Sequence, residues 1–221
     1  MKVDRRHDNP GRPGGGVTKL HDRTRYLTKG ELHSFLRAAQ AQGPKHHLIF
    51  ALIYWFAMRA GECSGLRLAD FRPVDRGNAH RYTALTIQGL KGGRTIEPEV
   101  PALIIDLLKA WLKRRSALPN AESNEWLFPA RRQARTEHMS TEAIKVMFRT
   151  IAKAAGIEGK HSVHDLRHSR AQHMAEDGKK QIEIASWLRH RNVSSSDRYI
   201  HGIEVQALSR SMAKDAEELL K

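Results

Sequence analysis

Apolar residues recur at intervals of three and four positions over several stretches of the chain, which predicts a mainly helical protein. The first stretch begins after Thr28-Lys29-Gly30-Glu31, a capping-box sequence, and ends at the Gly43-Pro44 pair. A second stretch, from His46 to Ala60, is apolar on most sides and predicts a central buried helix. Further helices are predicted from Pro101, over residues 143–154, and as three or four short pieces from Val163 to the end, with breaks at Gly178 and near Asn192.

One passage alternates with a period of two instead. Residues 82–88 and 95–100 are predicted to be strands, and Gly92-Gly93 between them is the kind of pair that closes a tight hairpin. Helices around one small antiparallel sheet give a mainly α fold with an α+β label, with one domain over residues 26–221. Residues 1–25 are basic and contain several Pro and Gly residues, so we expect a flexible N-terminal arm there.

The charge of the chain indicates the class of its partner. Lys and Arg number 38 and Asp and Glu number 24, which gives a formal net charge of +14. Such an excess attracts phosphates whatever the fold, so nucleic acid is the expected partner. A single cysteine, Cys63, excludes an internal disulfide and any zinc site with two thiolates. No apolar run approaches the roughly 20 residues of a membrane span, and no secretory signal is visible, so no membrane association is expected.

Arginines and histidines form short clusters that one phosphodiester group could gather. Arg59 borders the long apolar stretch, and Glu62, one helical turn later, is placed to hold it. His164 and Arg167 share a helix face. One guanidinium group can bind two oxygens of a phosphate at the same time. A tyrosine oxygen becomes a nucleophile when cations lower its pKa. The remaining clusters are Leu188-Arg189-His190 and Arg198-Tyr199-Ile200-His201.

The order and spacing of these clusters resemble the catalytic domain of the tyrosine recombinases, or phage integrase family, over roughly residues 25–210. Arg59-Ala60-Gly61-Glu62 resembles the first arginine box of the family, and His164-Asp165-Leu166-Arg167-His168 matches its H-x-L-R-H box. Leu188-Arg189-His190 stands where the family has L-G-H, and Tyr199-Ile200-His201 is similar to its Y-x-H segment. Lys91, in the predicted hairpin turn, falls where the family keeps a catalytic lysine.

The resemblance implies a DNA strand transferase that works without a metal or other cofactor. Tyr199 would attack the scissile phosphate to form a 3′-phosphotyrosyl link, and Lys91 would protonate the leaving 5′ oxygen. The other implied roles are phosphate clamping by Arg59 and Arg167, proton movement by His164, phosphate binding by His190, support of Arg59 by Glu62, and DNA contact by Arg94, Arg189 and Arg198.

Three segments depart from the family pattern. Phe56-Ala57-Met58 stands where the family usually has T-G before the first box, and Arg189 replaces the usual Gly before His190. Glu97-Pro98-Glu99 is unusually acidic for a strand that faces DNA. We expect Arg189 either to add a charge next to the phosphate or to bend the turn differently.

The resemblance further implies integration, excision or inversion of a DNA element by a homotetramer on double-stranded DNA, with exchange of C-terminal helices between protomers. The expected location is the interior of a bacterial cell, at the nucleoid. The short arm indicates either a short member of the family or a fragment of a longer protein. Two other functions stay open, a type IB topoisomerase and an inert DNA-binding regulator with the same fold. A zinc site at His164 and His168, with His161 or His173, also stays open.

Overall fold

A computed structural model describes residues 26–75, 81–89, 94–119, 121–130 and 137–189, together with positions 208 and 212. The helices are α1 (Lys29–Ala41), α2 (Pro44–Trp55), α3 (Ala60–Ser64), α4 (Ala102–Arg115), α5 (Thr141–Ala154), α6 (Val163–Glu176) and α7 (Gln181–Trp187), and the strands are β1 (Phe71–Asp75) and β2 (Arg81–Leu85). The predicted mainly α fold with a small antiparallel sheet is confirmed. The predicted arm over residues 1–25 lies outside the described residues, as do the break near Asn192 and most of the last predicted helix.

Helix α2 is the centre of the domain. Every residue from Leu48 to Trp55 is fully buried, and α2 packs against α1, α4 and α6. The helix starts with Pro44 in its first turn, where a missing N–H costs nothing. It ends at Trp55, earlier than the apolar stretch predicts, because Ala57 turns the chain with a φ of 47°. This turn, residues 56–58, leads into α3 and places Arg59 at its N-terminus.

Helix α1 begins where its sequence predicts. The Thr28 hydroxyl accepts from the Glu31 N–H at 3.2 Å, and the Thr28 N–H donates to Glu31 Oε2 at 2.8 Å. These reciprocal bonds satisfy two N–H groups that have no partner within a helix. Phe35 on the buried face of α1 then packs against Phe50 and Phe148, with ring centroids 5.1 and 5.0 Å away.

The sheet contains one strand that the pattern does not predict. Strand β1 pairs antiparallel with β2, from Phe71 opposite Leu85 to Asp75 opposite Arg81. Pro73 is tolerated in β1 because the strand lies at the edge of the sheet. The sequence of β1 lacks the alternation of apolar and polar residues that marks a strand. On the other side, residues 95–100 do not form the predicted strand, but isolated antiparallel bridges join Ala84 to Glu99 and Ile87 to Ile96, which is the pairing predicted for the hairpin. The turn with Gly92-Gly93 lies outside the described residues.

Helices α6 and α7 close over the end of α2. Trp187 of α7 donates its indole N–H to the Trp55 carbonyl at 3.0 Å and stacks on Phe56. Leu208 and Met212 are also buried in this core. Among the described residues, no helix has the length and apolar character that crossing a membrane requires.

Candidate active site

Arg59 and Glu62 are paired at the start of α3, as their spacing predicts. Glu62 Oε1 accepts from Arg59 Nη1 at 2.7 Å, and Glu62 Oε2 accepts from the Arg59 N–H at 2.8 Å. The carboxylate therefore fixes both the side chain and the main chain of Arg59. The Glu62 side chain is 0% exposed, whereas the Arg59 side chain is 37% exposed. Arg59 is thus the part of the pair that a ligand can reach.

Arg189 approaches the same carboxylate from inside the protein. Its Nη2 donates to Glu62 Oε2 at 2.8 Å and to the Ala57 carbonyl at 2.9 Å. Its Nη1 donates to the carbonyls of Phe56, at 2.9 Å, and Trp187, at 3.1 Å. Arg189 is 1% exposed, so its guanidinium is held within the protein. This burial turns Arg189 away from the surface, where the sequence analysis expects it to contact DNA.

Arg167 joins this cluster from α6. The Arg167 Nη1 donates to the Ala57 carbonyl and its Nη2 to the Leu188 carbonyl, and the residue is 3% exposed. The Ala57 carbonyl therefore receives N–H groups from both Arg167 and Arg189. Three distant segments meet at this one turn, which brings the two predicted phosphate-clamping arginines into one network.

His164 lies in the first turn of α6. The helix start is fixed by Asp165, whose Oδ2 accepts from the Ser162 N–H at 2.9 Å. The His164 ring is exposed and meets the His168 ring edge-on, with centroids 4.6 Å apart. Partial burial lowers the pKa of His164 below its ordinary 6.5, and the charges of His168 and Arg167 lower it further. This lowering favours the neutral imidazole of His164, which can accept a proton.

The electrostatics of the cluster favour an anion. The guanidinium groups of Arg59 and Arg189 both bind the Glu62 carboxylate, and that of Arg167 interacts with all three charges. Burial, followed by the charges of Arg189 and Arg59, lowers the pKa of Arg167 to about 9. Burial alone would raise the pKa of Glu62, but the Arg189 charge and the hydrogen bonds from Arg59 and Arg189 hold it below its ordinary value. An added anion would relieve the repulsion between these cations.

Several predicted site residues lie outside this cluster or outside the described residues. Arg94 is half-buried beside the strand-like segment that contains Ile96. In the part of the chain that the structure describes, no three His, Cys, Asp or Glu side chains gather to hold a metal ion. The predicted Lys91, His190, Arg198 and Tyr199 all lie outside the described residues.

One buried cation near the site was not predicted. Arg170, one turn after Arg167 on α6, is 0% exposed and places its guanidinium 4.1 Å from the centre of the Trp55 ring. It holds α6 against α2 and so supports the position of Arg167. Nearby, Tyr54 is a core residue, and its hydroxyl lies 3.0 Å from His173 Nδ1. In the sequence, Arg170 follows Arg167 by three positions on the same helix, and this spacing is the signal that indicates a second arginine beside the site.

Comparison with known proteins assigns the chain to a family. The sequence model of the phage integrase family matches residues 25–204. The chain belongs to the phage integrase family. It is 27% identical over 188 residues to tyrosine recombinase XerA of Thermococcus onnurineus (strain NA1), covering 85% of this chain and 61% of that protein. It is 29% identical over 203 residues to tyrosine recombinase XerD of Caulobacter vibrioides (strain ATCC 19089 / CIP 103742 / CB 15), covering 89% of this chain and 63% of that protein.

Solved structures share the fold of this phage integrase domain. The crystal structure of XerA recombinase has a TM-score of 0.60 at 24% identity, over 86% of this chain and 64% of that one. The XerH recombinase bound to its difH substrate, in a pre-cleavage complex, has a TM-score of 0.62 at 24% identity, over 85% and 53%. This chain spans about three fifths of the length of the XerA and XerD relatives named above.

Proposed function

We propose that this chain is a tyrosine-type site-specific DNA recombinase, which cleaves and rejoins DNA strands through a 3′-phosphotyrosyl intermediate. The carrying observation is the network around the Ala57 carbonyl, which joins Arg59 and Arg167 in a cluster with more cations than anions. Such a cluster suits a phosphodiester that gains charge in its transition state. The relatives XerA and XerD are tyrosine recombinases, which supports the same chemistry here.

In the proposed reaction, the scissile phosphate binds at the exposed side of Arg59, and the buried Arg167 adds positive charge to the same cluster. The Tyr199 oxygen attacks phosphorus and forms a new P–O bond, while the bond to the 5′ oxygen breaks. Neutral His164 accepts the tyrosine proton, Lys91 protonates the leaving 5′ oxygen, and His190 donates to a phosphate oxygen. Because the link to Tyr199 keeps the energy of the phosphodiester, the reverse attack by another 5′ hydroxyl rejoins the strand without an energy source.

The proposed partner is double-stranded DNA, and a lambda integrase fragment of similar fold was solved bound to DNA. We propose that residues 26–221 form the catalytic domain and that the basic residues 1–25 form an arm that contacts the duplex. Arg94 and Arg198 are proposed as further DNA contacts. Integration, excision or inversion of a DNA element requires two sites, so the proposed assembly is a homotetramer on a synapse, with exchange of C-terminal helices, at the nucleoid of a bacterial cell.

The test is covalent trapping on DNA. A library of duplexes with randomised sequence, each nicked near the central phosphate, is incubated with the protein, and denaturing electrophoresis separates covalent adducts. We expect a 3′ adduct from the wild type and from Tyr26→Phe, and none from Tyr199→Phe. An equal adduct from Tyr199→Phe would overturn the assignment of the nucleophile. The absence of any adduct from the wild type would overturn the proposed enzymatic activity and favour a DNA-binding regulator.

A second assay separates a recombinase from a topoisomerase. Two copies of a trapped sequence are placed on one DNA molecule, and recombinant products are measured beside the relaxation of supercoils. A recombinase yields recombinant products that require both sites. Relaxation with a single site and without recombinants would instead identify a type IB topoisomerase.

A further inference from the structure

Two residues near Arg59 hold a backbone conformation that side chains disfavour. Ala57 has a φ of 47° and Arg189 a φ of 55°, and among the described residues they are the only ones other than glycine with positive φ. Such a conformation is strained and persists where surrounding contacts enforce it. Arg189 Nη2 donates to the Ala57 carbonyl at 2.9 Å, so the two strained residues are bonded directly to each other.

The Arg189 guanidinium supplies the contacts that enforce this geometry. It fastens the carbonyls of Phe56 and Ala57, which belong to the turn before Arg59, and the carbonyl of Trp187 in its own segment. Its bond to Glu62 joins two side chains that are each 0% exposed. A buried ion pair of this kind has strict geometry, because neither charge can turn to water.

The effect of Arg189 reaches Arg59 through Glu62. Glu62 Oε2 is shared between Arg189 Nη2 and the Arg59 N–H, and Oε1 holds Arg59 Nη1. If Arg189 is lost, Glu62 loses one of the donors that fix its rotamer. The carboxylate that holds Arg59 is then less firmly placed, so the orientation of the Arg59 guanidinium changes while its charge remains in place.

We propose that Arg189 is a positioning residue for strand cleavage, which orients Arg59 through Glu62 rather than contacting DNA. This proposal rests on the proposed recombinase function. A misplacement of about 1 Å can lower a rate by about 100-fold. Loss of the guanidinium fork should therefore reduce the cleavage rate without weakening DNA binding.

The main experiment compares two buried arginines. Arg189→Lys and Arg189→Met remove the fork near the site. Arg115→Lys and Arg115→Met are the matched controls, because Arg115 is also buried and donates to the carbonyls of Ala121 and Trp126, away from Arg59. Single-turnover cleavage of a nicked duplex gives the maximal rate and the half-saturating DNA concentration, at a temperature below the Tm of each variant.

We expect the Arg189 variants to lose about 100-fold in maximal rate with an unchanged half-saturating DNA concentration. The Arg115 variants should lower the Tm and keep the wild-type rate. In an Arg59→Lys background, Arg189→Lys should cause no further loss, because its effect passes through Arg59. A raised half-saturating concentration at a normal rate would instead make Arg189 a DNA contact, and full additivity with Arg59→Lys would also overturn the proposal.

A measurement without DNA separates this proposal from the proposed function. The side-chain ¹⁵N NMR signal of Arg59 should shift in Arg189→Lys and stay in place in Arg115→Lys. If the wild type forms no adduct with any duplex, the proposed recombinase function fails. The NMR signal then decides by itself whether Arg189 orients Arg59. If the Arg59 signal is the same in wild type and Arg189→Lys, Arg189 does not orient Arg59.

Discussion

Replacing Glu62 by glutamine tests the centre of the site with almost no change in shape. Glutamine keeps the volume of the side chain but loses the charge and one acceptor oxygen. Glu62 accepts from the Arg59 N–H, from Arg59 Nη1 and from Arg189 Nη2. In Glu62→Gln at least one of these donors must face the amide NH₂, and the buried Arg189 charge loses its counterion.

The expected loss is large for a single isosteric change. Breaking a buried ion pair by removing one partner costs about 3–5 kcal/mol, and a domain has a total stability of only about 5–15 kcal/mol. We therefore expect the free energy of unfolding of Glu62→Gln to fall by about 3–5 kcal/mol at pH 7. The control is Glu142→Gln, since the Glu142 side chain is 60% exposed and its pairs with Lys145 and Arg149 are screened by water.

The pH dependence of this loss has a definite sign. The contacts hold the pKa of Glu62 below its ordinary 4.5, so the ionised carboxylate stabilises the folded state fully at neutral pH. This contribution is lost as the pH falls from 4.5 through the lower pKa of the folded state. Urea unfolding followed by tryptophan fluorescence should thus show a gap between wild type and Glu62→Gln that is widest near pH 7 and narrows below 4.5.

Two results would refute this reasoning. A gap of less than about 1 kcal/mol at pH 7 would place Glu62 among exposed ion pairs. A gap that stays constant as the pH falls well below 4.5 would show that the loss comes from packing and not from the charge. Glu142→Gln should unfold close to the wild type throughout.

Four further outcomes follow from the structure. Thr28→Ala removes a helix cap and should lower the free energy of unfolding by about 1 kcal/mol in urea titrations; an unchanged midpoint would contradict the cap. Phe148→Ala leaves a cavity in the aromatic core and should cost about 3–5 kcal/mol by the same assay, whereas a loss below about 1 kcal/mol would mean that the core closes over it. The pKa of His164, followed by NMR, should lie below 6.5 because of burial and the charges of His168 and Arg167; a higher value would contradict this lowering. In DNA binding, Arg59→Met should reduce the salt slope by about 1 and Arg115→Met should leave it unchanged; a reduced slope for Arg115→Met would place that residue at the DNA surface.

The helices could be predicted because their signals are local. The cap of α1 is encoded within Thr28 and Glu31, and each amphipathic face repeats within a few turns. The sequence pattern places the end of α2 too late, because the residues around Phe56 include no glycine or proline that would mark the turn. That turn is held by Arg189, more than 130 positions away in the sequence. Strand β1 was missed because Pro73 and its charged neighbours hide the alternation.

The contacts of the site also fall into local ones, which the sequence predicts, and distant ones, which it does not. The pairing of Arg59 with Glu62 follows from a separation of three residues. The pairing of Glu62 with Arg189 spans 127 positions and has no local signal. Arg189 was expected at the DNA surface because of its place beside His190, but its charge says nothing about which way the side chain turns. The carbonyl of Ala57, where Arg167 and Arg189 meet, carries no sequence signal because every residue has a carbonyl.

The net charge of +14 overstates the cations that can face a duplex. Arg115, Arg167, Arg170 and Arg189 are all at most 4% exposed. Three of them donate to main-chain carbonyls, and Arg170 lies on the Trp55 ring. The properties that suit arginine to phosphate, a permanent charge and a planar fork of N–H donors, also suit it to gathering carbonyls at turns. In this domain a share of the arginine excess therefore holds the site together from within, and exposed side chains such as Arg59 are the ones that an anion can reach directly.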